Sequence, residues 1–224
     1  MTAFGRQVYA VLAKDLLVEW RSRDLVIAMI VFAFLALVTF NFALDLRPEM
    51  VSAVGRGVLW VVVVFAGTIG LGRSFAAERD QGTLEGLLVA PLDRSALFFA
   101  KVLGNMLFMG LVEIVTVGAF VVLFNVAIDP LPLAAILALG TLGLAATGTL
   151  FAGIASNTRA REVLLPVLLF PIIVPILIGV VQASQPALGE SVAREAAPWL
   201  VLLATFDVVY LAAGAVAFEY VLDE

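Results

Sequence analysis

The chain has 224 residues, 63% of them hydrophobic and 14% charged, whereas a soluble domain averages about 45–50% apolar and about 25% charged. That balance marks an integral membrane protein. Net charge is -5, and the absence of cysteine and histidine excludes disulfide staples, thiolate metal sites, and imidazole as an acid–base group or as a ligand to iron.

One transmembrane domain over residues 1–224 is expected. The first element, 2–23, is amphipathic: Phe4, Val8, Val11, Leu12, Leu16 and Trp20 recur at helical spacing, and Gln7, Lys14 and Arg21 gather opposite. Asp15 and Glu19 fall nearer the apolar side, against the pattern. The expected structure is a helix along the membrane interface with Trp20 as anchor. No cleavable signal peptide is expected, since the first apolar run is too long for a signal h-region.

Six spans follow, at 25–44, 57–76, 95–125, 133–155, 163–181 and 198–218, each judged against the roughly 20 apolar residues needed to cross. The third is long enough to project beyond the bilayer and carry Lys101 out with it. Ten of the 13 Lys and Arg fall in the N-terminal segment and the second and fourth connections. The positive-inside rule therefore puts both termini and the second connection in the cytoplasm.

That second connection has an ordered sequence. Glu78, Arg79 and Asp80 lead into Gln81-Gly82; Gly82 or Thr83 serves as N-cap, and Glu85 falls in the first turn, at the positive end of the helix dipole. Leu84, Leu87 and Leu88 share one face and Pro91 stops the helix. The spacing predicts a helix over 83–90 of about two turns. Such a helix lies on the membrane surface or docks in a groove of a soluble partner, and spacing alone favours neither.

Within the spans, Thr141, Ala145, Thr149 and Gly153 form a small-residue stripe for close helix approach, inside one chain or between two copies. Pro166, Pro171 and Pro175 mark the fifth span as kinked, each removing a backbone hydrogen bond. The outer connection 182–197 carries Leu188, Val192 and Ala196 at i, i+4 and i+8, which suggests a short helix dipping into the interface. Glu113 and Asp207 are carboxylates inside spans, expected to face the bundle interior. They serve a substrate or proton path, or tie helices together through Thr116 or Tyr210. The sequence holds no Walker loop, phosphate cradle or nucleophile–base pair.

The run Glu78, Arg79, Gly82, Thr83, Leu84, Glu85, Leu87, Leu88, Pro91 resembles the cytoplasmic coupling loop of ABC-2-type (type V) exporter permeases. Together with Gly70–Asn105, Asn157–Pro175 and Phe218–Glu224, it is similar to the CcmB family of cytochrome c maturation. The resemblance implies an all-α fold of six transmembrane helices with an N-terminal interface helix and a coupling helix, in the bacterial inner membrane. It implies an ABC ATPase partner, CcmA, membrane subunits CcmC and CcmD, and the haem chaperone CcmE, whose haem-loaded release ATP hydrolysis drives. Two copies of this chain per complex are expected, with no nucleic acid. ATP would sit in the ATPase and haem in partner subunits, leaving this chain without a cofactor or catalytic site of its own. Other readings are an ABC-2 permease for a lipid or glycan, an ion-coupled transporter using Glu113 and Asp207, and a membrane scaffold.

Overall fold

A single residue separates the first two helices. In this computed structural model, which describes residues 3–43, 48–75, 92–156, 158, 160–189 and 193–221, α1 (Ala3–Ser22) ends just before Arg23 and α2 (Asp24–Ala43) starts just after it. Arg23 takes a left-handed φ of 59°, uncommon for a residue with a side chain and incompatible with continued α-helix. Glu19 supports the break. Its Oε1 accepts from the Val26 amide at 3.0 Å, satisfying one of the first-turn donors that α2 cannot satisfy itself.

The chain continues as α3 (Pro48–Arg73), α4 (Arg94–Phe124), α5 (Pro130–Ser156), α6 (Arg161–Ala183) and α7 (Ala197–Val221). Five of the six spans match their expected positions within three residues at each end. The exception is α3, which begins at Pro48 and not at 57. Proline suits a helix start, where its missing N–H would have no partner, and the polar residues after it continue the same helix. Helices α2 to α7 are each long and apolar enough to cross a membrane, and no strand occurs among the described residues. The protein is an all-α, multi-pass membrane protein.

Helix α5 lies at the centre, packed on α3, α4, α6 and α7. Its composition makes this possible. A Cβ on Gly148 would meet Leu71 Cδ1 at 2.2 Å, and one on Gly153 would meet Phe218 Cε2 at 2.9 Å. Thr141, Ala145 and Thr149 are buried as well. The small-residue stripe is therefore an internal contact, spent within one chain and not left for a second copy.

Contacts between distant residues sort the helix ends into two groups. At one end, Asn41 Nδ2 donates to Leu123 O at 2.6 Å and Trp60 Nε1 donates to Ser184 Oγ at 2.8 Å. There the described residues of the 182–197 connection form two short 3₁₀ turns, Pro186–Leu188 and Ala193–Ala196, where the spacing predicts one short helix; Val192 of that expected helix lies outside the described residues. Pro186 and the left-handed Gly189 (φ 77°) bound the first turn and break the i, i+4 pattern. Its Ala187 carbonyl accepts from the Asp129 amide at 2.7 Å, tying it to the start of α5. The opposite end gathers α1, the end of α3, the start of α4 and the end of α7.

Candidate functional site

Residues 76–91, with all nine positions of the expected coupling motif (Glu78, Arg79, Gly82, Thr83, Leu84, Glu85, Leu87, Leu88 and Pro91), lie outside the described residues, as does the helix expected at 83–90. The structure does describe how the chain enters and leaves this connection, and both points are fixed. On the entering side, the Ser74 carbonyl accepts from Lys101 Nζ at 3.0 Å and Ser74 Oγ accepts from Asn105 Nδ2 at 3.2 Å. Asn105 also donates to Thr149 Oγ1 at 2.9 Å. Lys101 is only 4% exposed, paired to Asp15 Oδ2 at 2.9 Å and set 5.2 Å from the centre of the Phe75 ring. A buried ammonium needs a counter-charge and acceptors; Asp15 and Ser74 supply both.

These contacts join four helices. Asp15 comes from α1, Ser74 follows α3, Lys101 and Asn105 stand one turn apart on α4, and Thr149 lies on α5. Two sequence features find their surroundings here. Lys101 is enclosed by protein: α1 and the end of α3 close over it. Asp15 departs from the amphipathic pattern because its partner lies inside the bundle. An aromatic chain reinforces the clamp, with ring centres of Phe75 and Phe218 at 5.8 Å, Phe218 and Phe98 at 5.4 Å, and Phe99 and Phe4 at 6.1 Å. Residue types alone gave no sign of this cluster, since these phenylalanines look like ordinary span residues.

On the leaving side, Asp93 caps α4. Its Oδ1 accepts from the Ser95 amide at 2.9 Å and the Ser95 hydroxyl at 2.6 Å. The Ser95 hydroxyl first, and then the backbone amides, hold the Asp93 carboxyl below its ordinary value of 3.8. The connection thus begins at a buried phenylalanine and ends at a capped helix start.

The two intramembrane carboxylates flank α5 on different sides. Glu113, in the middle of α4, accepts a short hydrogen bond from the Thr141 hydroxyl of α5. Thr116, the partner expected from sequence, donates instead to the Val112 carbonyl one turn back on its own helix, at 2.8 Å. Asp207 on α7 is 3% exposed, and neither carboxyl oxygen has a hydrogen-bond partner. It fits where Gly143 has no side chain: a Cβ there would lie 2.6 Å from Oδ1. Tyr210 stacks on Phe206, ring centres 4.4 Å apart, and does not bond Asp207.

The family model for CcmB protein matches residues 6–223. The chain belongs to the CcmB family. It is 29% identical over 164 residues to Heme exporter protein B of Pseudomonas aeruginosa, covering 70% of this chain and 74% of that one. It is 28% identical over 173 residues to the protein of that name from Rhodobacter capsulatus, covering 75% and 78%. The Paracoccus denitrificans protein is 31% identical over 149 residues, covering 65% and 68%.

In this CcmB-family chain the three prolines sit inside one continuous helix, α6. Pro171 and Pro175 are exposed and Pro166 is half-buried, so the prolines themselves lie toward the lipid side. The buried face of α6, with Leu169, Ile173 and Ile176, belongs to the packed core.

Proposed function

We propose that this chain is the permease subunit of an ABC transporter that handles haem in c-type cytochrome biogenesis. A partner ATPase, CcmA, binds the 76–91 connection on the cytoplasmic side, and CcmC and CcmD complete the membrane complex. Hydrolysis is the partner's; this chain transmits its closure, and the output is release of haem-loaded CcmE on the far side. The relatives' name, Heme exporter protein B, supports the haem context. The split of basic residues supports the side assignment.

The observation that carries the mechanical part is the clamp. Displacement of the connection pulls directly on Ser74 and on the capped start of α4. Lys101 passes the pull from Ser74 to α1, and Asn105 passes it to α5. Buried side chains transmit such displacements because the interior is close-packed.

The test is at the docking face. Burying a leucine is worth roughly 1.5–3 kcal/mol, and a charge in its place adds a desolvation cost. Leu87→Asp or Leu88→Asp is expected to weaken ATPase binding by at least about tenfold, since about 1.4 kcal/mol is one decade. Co-purification of the ATPase at matched permease levels, alongside cytochrome c maturation, measures this. Full retention of the ATPase by both variants refutes the docking.

A further inference from the structure

A small cleft opens beside Glu113, between α2, α3 and α4. Its lining includes Met29, Ala66, Gly67, Met109, Glu113 and Thr116, and it has room for about one water molecule. Its polar groups share one property. The Thr116 hydroxyl hydrogen is engaged with Val112 O and the Thr141 hydrogen with Glu113 Oε1. What remains for an occupant is lone pairs: those of the carboxylate and of Thr116 Oγ1. With Glu113 ionised the site accepts hydrogen bonds and offers none, so its occupant is then a donor, and its size limits that donor to water or hydronium.

Asp207 provides the contrast. It lies at similar depth, yet its oxygens are enclosed beside Gly143, with no partner. We propose that Glu113 is a proton-binding site in the middle of the membrane, loaded through a water in this cleft, while Asp207 is closed to exchange. In the loading step hydronium gives its proton to Glu113 Oε2; an O–H bond forms there and a neutral water is left. No other charged side chain faces the site among the described residues. The cleft residues of α2 and α3 and Thr141 of α5 are uncharged. The α1 charge on α4 is Asp15, engaged at Lys101, about 18 Å away along the helix. Helix α7 meets α4 at Phe98, also near the clamp end.

Infrared spectroscopy of the purified full chain on transfer to D2O tests this, with carboxyl bands assigned by Glu113→Gln and Asp207→Asn. The Glu113 band is expected to shift at least tenfold faster than the Asp207 band. Thr116→Val and Ala66→Val, which remove an acceptor and fill the cleft, are expected to slow it at least tenfold. Where Ala66→Val does not fold, Gly67→Ala adds a Cβ to the cleft lining, 2.5 Å from the Met109 methyl group, and forces that side chain to shift. Equal exchange of the two carboxyls overturns the proposal. So does a Glu113 band insensitive to both lining changes, or no Glu113 carboxyl band from neutral to mildly acidic pH.

Discussion

Glu113 and Asp207 look alike in the sequence and have opposite surroundings in the fold. Asp207 makes no hydrogen bond, so replacing it with an apolar residue of similar size breaks none. Asp207→Leu is expected to keep its thermal stability within about 1 kcal/mol, because a buried polar group without a partner contributes little to the fold. Glu113→Leu takes away the acceptor of the buried Thr141 hydroxyl and is expected to cost about 1–3 kcal/mol. Thermal unfolding of both variants in one detergent compares them; equal losses contradict the assignment of partners. An acid in an apolar run was legible from sequence as an inward-facing residue. Its partner was not, because that depends on the register of α5 against α4 and α7, which no local pattern encodes.

At the scale of elements, the clamp makes α1 dependent on a residue far along the chain. Lys101→Met leaves Asp15 paired only with the more exposed Lys14 of its own helix, at 3.0 Å, and removes the ion pair that ties α1 to α4. Helix α1 should then loosen from α4. The chain has no cysteine, so Val11→Cys, buried against the bundle, reports this directly. Its thiol labelling is expected to speed up at least about tenfold when Lys101→Met is added, and an unchanged rate removes the clamp from the mechanism. The start of α4 gives a pH signature. Since the folded Asp93 carboxyl titrates below its ordinary 3.8, its contribution is present above that value and is lost as pH falls through the lower, folded one. Asp93→Ala is expected to cost about 1 kcal/mol at neutral pH, and variant and parent should converge in strong acid. Unfolding midpoints across pH measure this. The span positions were legible because an apolar run long enough to cross a bilayer has few alternatives. The early start of α3 was missed because its first residues are polar, and the 3₁₀ turns because Pro186 and Gly189 override an apolar spacing. Asp15 and Glu19 looked like flaws in α1 because their partners, Lys101 and the Val26 amide, belong to other helices.

For the whole molecule, one set of six spans is half of an ABC exporter's membrane part, and two copies per complex are expected. The mass of the intact solubilised complex tests the count; a single copy with no permease-like partner contradicts it. Single cysteines test the sidedness, Ser191→Cys labelling from outside and Glu224→Cys only after the membrane is opened. Because the α5 stripe is internal, a contact between copies must use other surfaces. The enclosure of α5 also bears on how the chain is made. Helices α3 and α5 are the two least apolar of the six spans and the two most deeply enclosed, with α5 rich in Gly and Thr where its neighbours are rich in Val, Leu and Ile. A nascent segment enters the bilayer according to its own apolar content, so α5 gains least by leaving the translocon alone. Its residence in the membrane depends on helices made before and after it. Biogenesis of this chain is therefore a collective event, in which the last helices synthesised secure one already emerged from the ribosome.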